Sequence, residues 1–224
     1  LGLTPPAPSR SLPGPPSLPA IPPTSGMPTP TPREAPVGIL PTPAATPIGG
    51  GIGQVAFASS RSGKPQIFLI NVDATELKQL TDLPDGACQP AWSPDGSRLA
   101  FTSPCTRNQE LYPGSSLYVM NADGTDLRPL AARTSAGDFD PAWSPDGSKL
   151  AYTALGENDR TQIMFVGADG SAAAGLTPPA GVDSQPAWSP LGTQLVFRAK
   201  RLKDVQIWYT TDSAGTEARF SRSS

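Results

Sequence analysis

The chain has 224 residues but no histidine and only two cysteines, Cys88 and Cys105. Without imidazole, neither Ser-His-Asp nor Cys-His nucleophilic catalysis can be built. Zinc sites that need a histidine ligand are excluded too, and two thiols are too few for an all-thiolate site. No metal and no cofactor is expected. No apolar run approaches the roughly 18 residues that a membrane-spanning helix needs, and no basic–apolar–small signal segment is visible. The net charge of −2 argues against a nucleic-acid partner held by phosphate neutralisation. The first residue is Leu1 rather than Met, so the natural start is expected upstream, and membrane attachment is expected only through an anchor there.

Aromatic residues are absent from residues 1–50, which hold only three charges, Arg10, Arg33 and Glu34, and 16 of the 29 prolines. Such a segment cannot bury enough apolar surface to offset its ordering entropy. Residues 1–53 are expected to form a disordered, polyproline-like linker. Residues 54–224 are long enough for a core of their own.

That second part repeats itself. Pro90-Ala91-Trp92-Ser93-Pro94-Asp95-Gly96 recurs as Pro141-Ala142-Trp143-Ser144-Pro145-Asp146-Gly147, and with one change as Pro186-Ala187-Trp188-Ser189-Pro190-Leu191-Gly192. The intervals between the tryptophans suit four-stranded propeller blades. A short run follows each motif: Leu99-Ala100-Phe101, Leu150-Ala151-Tyr152 and Leu195-Val196-Phe197, with Val55-Ala56-Phe57 as a fourth copy. Further runs at 67–70, 117–120, 163–166 and 207–209 precede a turn and a last short strand at 77–81, 127–130, 175–177 and about 217–220. The runs are short and rich in β-branched and aromatic residues, as strands are. Several are apolar at consecutive positions, which implies burial on both faces. Ser-Pro-Asp-Gly has turn chemistry, with proline presetting φ and Asp-Gly after it. The first copy lacks a Pro-Ala-Trp strand and has Gly49, Gly50, Gly51 and Gly53 at that place. Ala74 replaces a turn glycine, and Leu191 replaces a turn aspartate.

Over about residues 54–220, this pattern resembles the WD-like β-propeller repeat of TolB-type proteins. The resemblance implies an all-β fold of about four blades of four-stranded antiparallel sheets. A TolB-like propeller ordinarily has more blades, so an incomplete, open arc is expected. In this fold, residues just before the innermost strands sit at one mouth of the channel, and there the resemblance implies a partner-binding face. Here they are Asp85 with Gln89, Asp138 with Asp140, and Asp183 with Gln185. Trp92, Trp143 and Trp188 are read as structural wedges between blades, not as a ligand-stacking set.

Cys88 and Cys105 flank one expected hairpin. With Asp95-Gly96 as its turn, residue 88 faces 103, so a small register shift or a bulge would allow a disulfide; the alternative is two unpaired thiols. Asn121-Ala122-Asp123-Gly124 is read as a plain turn, since it lacks the ligand spacing of a calcium loop. Arg198, Lys200, Arg201 and Lys203 are expected in a solvated loop. The loop between Thr102 and Ser116 is the longest of its kind and is read as a surface insertion.

Three functions stay open. The first is a non-catalytic, extracytoplasmic (periplasmic or cell-surface) bacterial scaffold that binds a protein or a cell-envelope component, as the resemblance implies. The second is the outer sensor propeller of a membrane-spanning serine/threonine kinase, for which Pro28-Thr29-Pro30-Thr31-Pro32 would suit the linker. The third is the non-catalytic propeller half of a prolyl-oligopeptidase-like serine peptidase, whose Gly-x-Ser-x-Gly elbow and histidine would lie elsewhere.

Overall fold

A computed structural model describes residues 53–130, 136–179, 181–201, 204–210 and 217–219. The linker expected over 1–53 lies, apart from Gly53, outside the described residues. So does Lys203.

Among the described residues, runs of β-branched and aromatic residues separated by turn residues give fifteen strands in four antiparallel sheets. The first sheet has three strands, β1 (Gln54–Ser59), β2 (Gln66–Asn71) and β3 (Lys78–Gln79). The second has β4 (Cys88–Trp92), β5 (Arg98–Ser103), β6 (Ser116–Asn121) and β7 (Arg128–Pro129). The third has β8 (Gly137–Trp143), β9 (Lys149–Leu155), β10 (Thr161–Gly167) and β11 (Ala174–Gly175). The fourth has β12 (Asp183–Trp188), β13 (Leu195–Arg201), β14 (Asp204–Thr210) and β15 (Glu217–Arg219). Strand order within each sheet follows the chain. The only helical turn among the described residues is a 3-10 segment at Glu157–Asp159. None of the described helices is long and apolar enough to cross a membrane.

Packing between sheets also runs in chain order. Ile67 of the first sheet meets Leu99, Phe101 and Met120 of the second. On its other face, the second sheet packs Ala100, Leu117 and Val119 against Leu150, Tyr152 and Val166 of the third. The third then packs Ala151 and Ile163 against Leu195, Phe197 and Ala199 of the fourth. Consecutive apolar residues such as Leu99-Ala100-Phe101 thus serve two interfaces at once, as their lack of alternation requires.

The tryptophans occupy equivalent places in these interfaces. Trp143 donates its indole N–H to the Ala91 carbonyl of the sheet before it at 3.2 Å, and Trp188 does the same to Ala142 at 3.1 Å. A cation from that preceding sheet covers each ring: Arg98 over Trp143 at 4.7 Å and Lys149 over Trp188 at 5.2 Å. Hairpin turns stack as well. A Cβ placed on Gly147 would touch Pro94, and one on Gly192 would touch Pro145, each at 3.4 Å.

The turns are self-contained. Ser93 Oγ donates to Asp95 at 2.6 Å and accepts the Arg98 N–H at 2.9 Å. With Ser93 as the main cause and Ser97 adding to it, the Asp95 carboxyl is lowered to about 2. Asp123 accepts both the Thr125 hydroxyl and its N–H, which leaves a closed turn and no cation cage. Among the described residues, no group of three or more metal-ligating side chains occurs.

One expectation is corrected. Arg198, Lys200 and Arg201 stand on β13, not in a loop. The register Arg201↔Asp204 leaves room for two connecting residues only, so the strand runs through the basic cluster. Alternation then buries Leu195, Phe197 and Ala199 while Val196 and Lys200 stay exposed on the opposite face.

Ala74 has φ 66°, where the equivalent Gly124 and Gly170 have 94° and 89°. A left-handed alanine is strained by its Cβ. Ala74→Gly is expected to raise the unfolding free energy by about 0.5–1 kcal/mol, the strain relieved exceeding glycine's added unfolded-state entropy. Urea denaturation of the two proteins checks this.

Candidate functional site

The innermost strands are interrupted at one position each. Their pairing slips between Cys88 and Ala91, between Phe139 and Ala142, and between Ser184 and Ala187. The extra residue of each bulge is left-handed: Gln89 at φ 55°, Asp140 at 53° and Gln185 at 57°. Each precedes the proline of the Pro-Ala-Trp motif. Proline has no N–H for the ladder, so a strand that contains one accommodates it at an edge or a bulge. Gln89, Asp140 and Gln185, three of the six residues singled out from the sequence, thereby turn toward one another.

A hydrogen-bonded row joins them. Gln89 Oε1 accepts the Thr102 hydroxyl at 2.7 Å and the Asp140 backbone N–H at 3.1 Å, while its Nε2 donates to Asp140 Oδ1. Asp140 Oδ2 accepts the Thr153 hydroxyl at 3.1 Å, and Thr153 Oγ1 accepts the Gln185 N–H at 3.1 Å. Thr102 and Thr153 each stand 13 residues after their bulge residue. Arg198 holds that place in the fourth sheet and Ala58 in the first. The row therefore runs threonine, threonine, arginine, and Arg198, read from the sequence as solvated charge, is part of it.

The long loop between β5 and β6 walls the row on the outside. Cys88 and Cys105 are joined by a disulfide with Cα atoms 5.9 Å apart. The bulge sets Cys88 opposite Thr102, and Cys105 lies three residues on, past the end of β5. Farther along, the buried Tyr112 ring packs on Phe139 at 5.4 Å between centroids. Gly137 lies so close to the loop that a Cβ there would come within 2.2 Å of the Tyr112 carbonyl. Held at both ends, the loop places Asn108, Gln109 and Glu110 beside Gln89, Asp140, Ser184, Gln185 and Arg198, around a polar groove of about 330 Å³. Glu110 meets Arg198 at 3.6 Å, a surface pair worth at most about 1 kcal/mol.

Burial is the largest influence on the Asp140 carboxyl and raises its pKa from the ordinary 3.8, against the Thr153 hydroxyl, the Gln185 N–H and the Arg198 charge, all of which lower it. Burial, with the nearby Asp138 charge, also pushes the Tyr152 phenol up.

The other three residues singled out from the sequence lie elsewhere. Asp138 and Asp183 are buried, at 7% and 0% exposure. The Asp138 backbone bonds with Ser115 through its N–H at 3.1 Å and its carbonyl at 2.9 Å. Asp85 is exposed and faces Lys64 at 4.0 Å. For Asp138 and Asp183, two residues before a left-handed bulge no longer means the same face, while Asp85 stands in the turn before β4. Asn108, Gln109, Glu110 and Ser184 were missed, although the length of the loop was a signal for the first three.

The fold and the row can be set beside known proteins. No family model matches the chain. A protein TolB homolog of Chlorobium luteolum is 32% identical over 154 residues, covering 69% of this chain and 33% of the relative. The Tol-Pal system protein TolB of Anaeromyxobacter dehalogenans is 31% identical over 135 residues, covering 59% of this chain and 29% of the relative. The crystal structure of TolB from Acinetobacter baumannii superposes with a TM-score of 0.60 at 20% identity, over 76% of this chain and 42% of that one. This chain is a TolB-like β-propeller protein. The TolB-like chain spans about a third of the length of the curated relatives it matches.

A carboxyl with a raised folded pKa supports the fold fully below its ordinary pKa and loses that support as pH rises through the folded value. Asp140→Asn is therefore expected to be more stable than the parent at neutral pH, with the difference shrinking as pH falls toward the ordinary carboxylate range; thermal melts across pH measure it. Replacing both Cys88 and Cys105 with serine frees a loop of 17 residues and is expected to lower stability by about 3 kcal/mol, read by calorimetry.

Proposed function

We propose that the chain is a non-catalytic scaffold propeller that works outside the cytoplasm and binds a protein or cell-envelope component through the groove bounded by Gln89, Asp140, Gln185 and Arg198. The observation that carries this reading is the row itself. Three residues are held in left-handed conformations that each cost on the order of 1 kcal/mol, and the strain aims polar groups into one groove. Amides, a carboxylate and a guanidinium in one rigid groove suit the backbone and side-chain polar groups of a protein surface, since together they supply donors and acceptors in both charge states. The likeness to a Tol-Pal system protein supports a protein partner and an envelope setting. A sequence without histidine supports the absence of a nucleophile–base pair.

The test is site-directed photo-crosslinking in envelope extract of the source cells. A photoreactive residue at Gln109 is expected to capture a discrete protein, and one at Asp123, on a remote turn, is not. Gln89→Ala with Arg198→Ala is expected to cut the Gln109 adduct about tenfold. Equal labelling at both positions, or an adduct indifferent to the double substitution, refutes the groove as the contact.

A further inference from the structure

The cation that ends the polar row also opens onto a second cavity. Arg198 and Lys200 alternate onto one face of β13, opposite the buried Phe197 and Ala199. A cleft of about 150 Å³ lies against both cations. It is continuous with the groove, because Glu110, Ser184 and Arg198 line the two. Leu111 of the long loop, Asp159 of the turn before β10, and Val182 and Val205 on either side of β13 complete its walls. The Lys200 backbone N–H donates to the Val182 carbonyl at 2.9 Å, which ties β13 to the wall beside it.

The two cations have more capacity than the protein uses. The Asp140 carboxylate already accepts from Gln89 and Thr153. Among the described residues, Glu110 is the one carboxylate within ion-pair distance of Arg198, and Lys200 has none. Glu110 stands at 3.6 Å, beyond hydrogen-bond reach. A guanidinium offers five N–H donors in a fork that matches a carboxylate, and here that fork is unfilled.

Glu110 comes to Arg198 from the loop of the second sheet, past the third, although the sheets otherwise pack on their neighbours in chain order. Its side chain is 83% exposed and that of Arg198 35%. The loop is pinned at the disulfide and at Tyr112, so it brings a carboxylate to the mouth of the cleft without seating it there.

We propose that this cleft is a carboxylate-binding subsite. Arg198 takes the carboxylate of a partner in its fork, Lys200 adds a second positive charge, and Glu110 holds the place until the ligand displaces it. The carboxylate belongs to an Asp or Glu side chain or to a chain end. Leu111, Val182 and Val205 suit the aliphatic stem beside such a group, which an inorganic anion lacks. With Glu110 turned out, Arg198 and Lys200 face Asp159 alone, and the single positive charge left over matches a monoanion better than a phosphate dianion. The proposal rests on the groove reading only for the partner being a polypeptide. Small carboxylates test the subsite by themselves, so its failure leaves the crosslinking outcome at Gln109 standing.

The test uses the full chain with isotope-labelled arginine, followed by NMR at constant ionic strength because exposed pairs are screened by salt. Arg198→Lys assigns the Arg198 side-chain signal. N-acetyl-aspartic acid α-amide, which carries a side-chain carboxylate, and N-acetylglycine, which mimics a chain end, are each titrated to roughly 100 mM. N-acetyl-asparagine amide is the neutral control. At least one carboxylate is expected to shift the Arg198 signal saturably, and the tighter of the two tells side chain from chain end. Lys200→Gln is expected to weaken binding about threefold and Glu110→Gln to tighten it about threefold, each the worth of an exposed pair. The opposite sign at Glu110 separates a displaced placeholder from a wall of the site. Glu157→Gln, which removes a nearby acid outside the cleft, should leave the affinity unchanged. Four results overturn the proposal: no saturable shift at Arg198 with either carboxylate, an equal response to the asparagine amide, inorganic phosphate binding more tightly than both carboxylates, or an affinity that Glu110→Gln leaves unchanged or lowers.

Discussion

Every sheet in this protein is apolar on both faces, and it cannot bury either one alone. The tryptophan at the end of each innermost strand resolves that constraint. Its ring fills the interface, worth about 2–3 kcal/mol by area, and in Trp143 and Trp188 the N–H reaches back to the previous sheet, worth about 1 kcal/mol more. A cation from the previous sheet then covers two of the rings. The molecule is held together as a series of nearest-neighbour contacts, so stability is a sum over interfaces. Exposed apolar residues collect where the series stops, at Val55 on the first sheet and at Val196, Val205 and Ile207 on the fourth.

The same strands that deliver the tryptophans also build the polar row, and the bulge is what permits both. A regular strand would alternate strictly and could not turn Gln89 into the groove while keeping Ala91 and Trp92 in register with Ala100 and Leu99. One extra left-handed residue shifts the phase. The hydroxyls of Thr102 and Thr153 then satisfy the turned side chains, which offsets the backbone strain with charge-assisted and neutral hydrogen bonds. Packing and the polar groove are two consequences of one local distortion repeated down the stack.

The repeat was legible because it is local chemistry. Pro-Ala-Trp, Ser-Pro-Asp-Gly and the apolar triplets each fix a strand, a turn or a face within a few residues, and together they placed all fifteen strands to within a few positions. The row was half legible. Gln89, Asp140 and Gln185 could be picked out because they precede a repeated motif. Asp138 and Asp183 could not be told from them, since deciding which face a residue takes requires the bulge. Proline inside a strand is a sign of a bulge and was the available signal. Arg198 was misplaced for another reason. A run of cations looks like a loop, while the length of a hairpin depends on cross-strand register, which no single segment encodes.

The fourth sheet shows how such a series can change character without losing its fold. It keeps Trp188, Phe197 and the stacked turn, the features that serve the sheet before it. It differs where the earlier sheets serve the next one. Gln194 stands where Arg98 and Lys149 reach forward to a tryptophan, and Arg198 stands where Thr102 and Thr153 are fully buried. The guanidinium stays partly exposed there, with Glu110 at 3.6 Å and the Asp140 charge on the groove side. Arg198 thus ends the run of hydroxyls and converts the last position of a structural row into a charged one. The groove's charge is decided there, by a single side chain that departs from the pattern in an otherwise repeated row.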